Sequence, residues 1–201
     1  MFFLRIYIAQ KNVNLRFYFR KNVDNKIIVI IGGPGSGKST IINYLTNKGF
    51  SCYPEISRQV TLEAREKGID QLFLEQPLLF SELLLKGRIN QFNSAKHEDS
   101  KFVFIDRGIP DVVAYMDFIG DTYPEIFAKA CEEHRYDQIF LLPPWEEIYL
   151  SDNERYETYE QAVEIHKHLT KTYESYGYNL VDVPKDTVQN RVDFILNHLE
   201  K

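Results

Sequence analysis

The sequence predicts an α/β protein built on a five-stranded parallel sheet with helices on both faces. Strand-like segments alternate with helical ones from residue 26 to residue 199, which is the pattern of repeated strand–helix units. The first segment, KIIVII at residues 26–31, is an unbroken apolar run rich in β-branched side chains. Such a run is typical of a strand that is buried on both faces.

The remaining elements follow from apolar runs and from the residues that interrupt them. Further strands are predicted at residues 50–53, 101–105, 138–142 and 179–183. Helices are predicted at residues 40–48, 54–67, 109–119, 124–134, 160–176 and 188–199. The leucine-rich stretch 70–93 is predicted to form two helical pieces, because Pro77 breaks the helix that precedes it. Residues 145–159 are charged and rich in tyrosine, and they are predicted to be a mobile segment.

Length and composition limit the classes of protein. The 201 residues suffice for one domain, which we place at residues 25–201. The net charge of −5 disfavours a nucleic-acid partner, and no stretch approaches the ~20 apolar residues of a membrane span. We therefore expect a cytoplasmic protein. Residues 1–24 are predicted to be an N-terminal extension, either an extra strand or a disordered leader, with a membrane-surface anchor as the alternative.

The glycine-rich segment after the first strand fits G-x-x-x-x-G-K-[ST]. Glycines let backbone N–H groups curl around phosphates, and the helix that follows directs its positive end at the same anion. In this motif Lys38 reaches the β- and γ-phosphates, and the hydroxyl of Ser39 binds magnesium. A glycine-rich turn could match by chance, but the strand before it and the helix after it favour a P-loop. The predicted binding segment for ATP and Mg²⁺ comprises Gly32, Gly33, Pro34, Gly35, Ser36, Gly37, Lys38, Ser39 and Thr40.

A second acidic position follows the apolar strand FVFI. Asp106 lies where P-loop folds bring a carboxylate to the magnesium ion, and Arg107 comes directly after it. An acid–arginine pair at a strand end can hold metal, donor phosphate and acceptor together. The alternative is that Asp106 caps the helix predicted at residues 109–119.

Three further residues are candidates for the reaction. Glu55 follows the second strand at the carboxyl edge of the sheet, where it could accept a proton from an attacking hydroxyl, or it could simply favour a helix start. Arg58, one turn later, could pair with Glu55 or bind an acidic acceptor. Arg155 lies in the charged segment DNERY, where it could close over the phosphates or belong to a solvated loop.

These motifs together resemble the AAA-type ATPase family of P-loop proteins that groups with nicotinamide riboside kinases. The matching segments are IGGPGSGKST, CYPEISRQV, FIDRGIPD, LLPPWEEIY and DNERYE. The resemblance implies a three-layer, nucleotide-kinase-like P-loop fold. It also implies phosphate and magnesium contacts for Lys38 and Ser39, an acid–arginine motif at Asp106 and Arg107, a lid arginine at Arg155 and a base near Glu55. The chain is too short for a full AAA+ module, so ring assembly is not expected.

The sequence therefore predicts a small-molecule kinase that transfers the γ-phosphoryl group of ATP to a hydroxyl of a nucleoside-like acceptor. The alternative is a regulatory nucleotide switch with slow ATP or GTP hydrolysis and a protein or lipid partner. Two near-matches to guanine-binding motifs, at residues 47–50 and 117–120, lie in the wrong places for that role. A nucleic-acid 5′-end kinase is a third hypothesis, which the acidic composition disfavours.

Overall fold

A computed structural model describes residues 25–66, 68–69, 71–149 and 157–200. The strands are β1 (Lys26–Gly32), β2 (Ser51–Tyr53), β3 (Phe102–Asp106), β4 (Gln138–Leu142) and β5 (Leu180–Asp182). The helices are α1 (Lys38–Asn47), α2 (Ser57–Glu66), α3 (Leu72–Glu75), α4 (Pro77–Ala95), α5 (Pro110–Ile119), α6 (Ile126–Glu133), α7 (Tyr159–Ser175) and α8 (Val188–Leu199). A 3-10 helix spans Glu146–Ile148.

The five strands form one parallel sheet in the order β2-β3-β1-β4-β5, which confirms the predicted fold class. The apolar run of β1 occupies the centre, where Ile28 lies beside Phe104 of β3 and Gln138 of β4. Because β1 is flanked on both sides, every one of its residues from Ile27 to Ile31 is buried. The P-loop therefore leaves the sheet at its middle.

Alternate residues of β1 serve the two faces of the sheet. Ile27, Val29 and Ile31 pack in the core beneath α4, α5 and α7. Ile28 and Ile30 pack on the other face with apolar side chains of α1 and α8. This arrangement produces three layers, with helices covering both faces of the sheet.

A third apolar cluster joins α4, α5 and α6 beside the sheet. Its members include Leu84 and Leu85 of α4, Val112 of α5 and Phe127 of α6. The break predicted at Pro77 is present, since α3 ends at Glu75 and α4 begins at Pro77. Within the described ranges, no helix is long and apolar enough to cross a membrane.

One predicted helix begins later than expected. The helix expected from residue 54 begins only at Ser57, because the side chain of Glu55 accepts the backbone N–H groups of Ile56 and Ser57 (3.1 and 3.2 Å) and ends the extended segment there. The segment expected to be mobile at 145–159 contains the 3-10 helix, and α7 begins at Tyr159. The stretch between, at 150–156, lies outside the described residues, as does the predicted extension at 1–24.

Candidate active site

The P-loop joins the end of β1 to the start of α1. Gly37 has a left-handed backbone (φ 88°) immediately before the helix, a conformation that glycine adopts without strain. The amine of Lys38, the first residue of α1, donates to the carbonyl oxygens of Gly32 (2.9 Å) and Gly33 (2.8 Å). The lysine side chain therefore folds back over the inside of the loop that precedes it.

The environment of Lys38 weakens its charge. Its side chain is buried, and burial together with the positive charge of Arg107 lowers the pKa of Lys38 from 10.5 to about 7. The carboxylates of Asp106, Glu55 and Asp111 act in the opposite direction without reversing the shift. An anion placed in the loop would add the negative charge that favours the protonated amine.

Ser39 and Asp106 bring two oxygen ligands together beside the loop. The hydroxyl of Ser39 donates to Oδ2 of Asp106 (3.2 Å), although the two residues are 67 positions apart. Oδ1 of Asp106 is buried without a hydrogen-bond partner, and burial raises the pKa of this carboxyl. Asp106 thus faces the P-loop instead of capping α5. A buried carboxylate oxygen without a donor fits a cation.

These two oxygens suit Mg²⁺, which takes one or two protein ligands and completes its shell with water and phosphate oxygens. The described residues contain no group of three or more His, Cys, Asp or Glu side chains that could hold a metal ion. Ser39 and Asp106 fit a magnesium ion that also binds phosphate oxygens.

Glu55 forms ion pairs with two arginines. Its Oε2 contacts Nε of Arg107, and its Oε1 lies 3.4 Å from Nη2 of Arg88. Burial acts to raise the pKa of Glu55, but the charges of Arg107 and Arg88 prevail and the pKa is lowered. The carboxylate is therefore ionised at neutral pH and held in one orientation.

Arg107 connects Glu55 to a buried carboxylate, Asp111. Nη1 of Arg107 lies 3.4 Å from Oδ1 of Asp111, and the hydroxyl of Tyr173 donates to Oδ2 of Asp111 (2.6 Å). Arg107 has φ 70°, and no other non-glycine residue in the described ranges has a positive φ. This left-handed backbone costs roughly 1–2 kcal/mol, which its N–H bond to Ile30 (3.1 Å) and its ion pairs offset.

The motif analysis assigned no role to Arg88 or Asp111. Arg88 is 4% exposed and donates to the carbonyl oxygen of Gly108. A sequence signal existed, because Arg88 lies at helical spacing with the buried residues Leu84, Leu85 and Phe92 of α4. Asp111 belongs to the segment FIDRGIPD, but its burial against a tyrosine of α7 is a tertiary contact.

The ion pairs among Glu55, Arg88, Arg107 and Asp111 form what we call the carboxylate–arginine network. One continuous cleft of about 1350 Å³ joins the P-loop to this network. Many small-molecule sites measure about 300–1,000 Å³, so the cleft has room for a nucleotide and a second small molecule. Four aromatic side chains of α3, α4 and α5 line the cleft, and we call them the aromatic wall: Phe73, Phe80, Tyr115 and Phe118. Arg58 lines the same cleft. The described ion pairs of Glu55 are with Arg107 and Arg88.

A family model described as an AAA domain matches residues 27–191 of this chain. The chain belongs to this AAA domain family. The match begins in β1 and ends in α8, so it includes the P-loop, the carboxylate–arginine network and most of the cleft. No curated protein matches the sequence.

The AAA domain is similar in structure to several nucleoside and nucleotide kinases. A deoxyadenosine kinase from M. mycoides with bound products dCMP and dCDP is 17% identical, with a TM-score of 0.64 over 87% of this chain and 98% of its own. A NadR protein in complex with NR is 16% identical, with a TM-score of 0.66 over 88% of this chain and 50% of its own. Thymidylate kinase from Candida albicans is 18% identical, with a TM-score of 0.62 over 88% of this chain and 91% of its own. At these identities the likeness shows the fold.

Most predicted site residues of the AAA domain therefore lie around one cleft. The P-loop, Glu55, Arg58, Asp106 and Arg107 all contribute to it. Arg155 lies outside the described residues, so its role stays a prediction.

Proposed function

We propose that this protein is a kinase that transfers the γ-phosphoryl group of Mg·ATP to a hydroxyl of a nucleoside-like acceptor. One observation carries the proposal: a single cleft contains the P-loop, the ionised Glu55–Arg107 pair and an aromatic wall. A regulatory switch needs only the first of these features, whereas a phosphotransferase must also orient an acceptor beside the donor, which the other two features can do.

The P-loop residues bind the donor in this proposal. Backbone N–H groups of the loop and the amine of Lys38 would hold the β- and γ-phosphates, replacing the carbonyl contacts that Lys38 makes with Gly32 and Gly33. Ser39 and Asp106 would hold Mg²⁺, whose chemistry is to neutralise charge on the phosphates during transfer.

Glu55 and Arg107 would act on the acceptor. The lowered pKa of Glu55 makes it a weak base, so its main contribution is to accept a hydrogen bond from the acceptor hydroxyl and aim the oxygen at phosphorus. Arg107 can stabilise negative charge on the transferred group, because its ion pairs already hold the guanidinium in the cleft.

The aromatic wall supports a flat, partly apolar acceptor. Phenylalanine and tyrosine rings stack on nucleobases and similar rings. The structural neighbours also support such an acceptor, since they include a deoxyadenosine kinase, a thymidylate kinase and a NadR protein with NR. Together these observations favour a nucleoside or a related ring-bearing alcohol as the acceptor class.

The test starts from a thermal-shift screen of the purified protein against nucleosides, nucleotides and vitamins, with and without Mg·ATP. A ligand that binds the folded protein raises its Tm with its concentration. Each hit is then incubated with Mg·ATP, and the phosphorylated product is sought by mass spectrometry. We expect one acceptor class to accelerate ADP release, and Lys38→Ala to abolish that release. ATP turnover that no acceptor accelerates, or a clear preference for GTP, would contradict the kinase proposal.

A further inference from the structure

Arg191 of α8 packs against the P-loop that joins β1 to α1. Its side chain is 3% exposed, and Nη2 donates to the carbonyl oxygen of Ser36 (2.9 Å). A Cβ atom built on Gly37 would lie 2.9 Å from Nη1 of Arg191, so the guanidinium packs directly on the backbone of the loop. Arg191 also lines the cleft.

The charge of Arg191 has no counter-charge in the described part of the chain. No described carboxylate lies within ion-pair distance of it, and the ring centroid of Trp145 lies 5.8 Å from its guanidinium carbon. Nε of Arg191 is buried without a hydrogen-bond partner. Burial lowers the pKa of Arg191, yet an arginine remains charged at every ordinary pH.

A buried charge without a counter-charge destabilises a protein, so its presence beside a phosphate-binding loop requires an explanation. The buried arginines of the carboxylate–arginine network offer a contrast. Arg88 and Arg107 each contact carboxylates of Glu55 and Asp111, and their charges are balanced within the protein. Arg191 lacks such a balance, and a nucleotide bound in the cleft would bring anionic phosphates to it.

We propose that Arg191 is a further nucleotide-binding residue, whose uncompensated charge attracts the phosphates while its bond to Ser36 positions the P-loop. The inference rests on the nucleotide-binding part of the proposed function and does not depend on the acceptor. It extends the phosphate site from the loop between β1 and α1 to the C-terminal helix α8.

The experiment measures two quantities on Arg191→Met, which removes the charge and keeps an apolar chain of similar length. Affinities for Mg·ATP and for tripolyphosphate, which has phosphates but no base, are measured by calorimetry, and the stability of the ligand-free protein by urea unfolding. We expect both affinities to fall at least tenfold, about 1.4 kcal/mol, while stability is unchanged or higher. Arg191→Lys should recover most of the affinity.

A matched control is Arg135→Met, because Arg135 is exposed and stacks on Tyr178 (4.0 Å to the ring centroid) outside the cleft. It should leave both affinities unchanged. If Arg191→Met does not fold, Arg191→Gln keeps a donor for the Ser36 carbonyl without the charge and provides the same comparison. Affinities within twofold of wild type in a folded Arg191 variant would overturn the inference. Failure of the wild-type protein to bind Mg·ATP would instead overturn the proposed function.

Discussion

Nucleotide binding should be linked to protonation of Lys38. In the ligand-free protein the pKa of Lys38 is about 7, because burial and Arg107 disfavour the ammonium form. Phosphates in the loop supply the negative charge that favours this form, so binding raises the pKa again. Above pH 7 the complex must therefore take up a proton that the free protein lacks.

The size of the proton uptake and the pH dependence of the affinity both follow from the pKa of about 7 for Lys38. At pH 8 roughly nine-tenths of the ligand-free molecules hold a neutral lysine, so binding should take up about 0.9 proton per site. Affinity should be fully present below pH 7 and fall about tenfold for each pH unit above it, until the pKa of the complex is reached. From pH 8 upward the phosphates of the nucleotide keep a nearly constant charge, since their second pKa is about 6.

Calorimetry measures this uptake directly. Mg·ATP is titrated at pH 8 in HEPES and in Tris, and the dependence of the binding enthalpy on the ionisation enthalpy of the buffer gives the number of protons. Lys48→Met, which removes an exposed lysine at the far end of α1, should preserve the uptake, whereas Lys38→Met should abolish it. An uptake near zero at pH 8, or an affinity that is constant from pH 7 to pH 9, would refute the reasoning.

Four further predictions concern other parts of the molecule. Glu55→Gln should spare Mg·ATP binding and lower acceptor phosphorylation, by about 10²–10⁴ if Glu55 is a true general base and by less if it mainly orients the hydroxyl. Asp106→Asn should weaken the magnesium-dependent part of nucleotide affinity, measured with and without Mg²⁺. Tyr173→Phe removes a donor to the buried carboxylate of Asp111 and should cost roughly 1–3 kcal/mol of unfolding free energy in urea. Deleting residues 1–24 should leave nucleotide binding intact, because β1 begins at Lys26.

Each of these predictions has its own contrary result. Wild-type phosphorylation by Glu55→Gln would leave Glu55 as a helix-start residue and transfer the role of base to Asp106. Equal magnesium dependence in Asp106→Asn would remove Asp106 from the metal site. An unchanged urea midpoint in Tyr173→Phe would mean that water replaces the lost hydroxyl. Loss of folding after the deletion would show that residues 1–24 belong to the core.

The parallel sheet and the P-loop were predictable because their causes are local in the chain. An apolar β-branched run such as β1 is typical of a strand that is buried on both faces. The glycines of the loop permit its backbone shape, and the helix that begins at Lys38 follows in sequence. Asp106 was predictable for a related reason, since the carboxyl ends of parallel strands meet at one edge of the sheet.

The partners of Glu55 could not be derived in the same way. Arg58, one helical turn from Glu55, was predicted either to pair with it or to bind an acidic acceptor, whereas the described ion pairs of Glu55 are with Arg107 of the β3–α5 connection and Arg88 of α4. These contacts join parts of the chain that are 33 or more residues apart. Their geometry depends on how α4 packs over the sheet and on the left-handed backbone of Arg107.

The sequence by itself determined the succession of strands and helices along the chain, the phosphate-binding loop and the carboxylate at the end of β3. Each of these features can be recognised from spacing along the chain. Only the tertiary structure decided which charges meet. It placed Arg88 between Glu55 and the carbonyl oxygen of Gly108, and it brought Arg191 across 155 residues to Ser36. Charge pairing depends on distances of a few ångströms between side chains and on burial, and packing sets both of these.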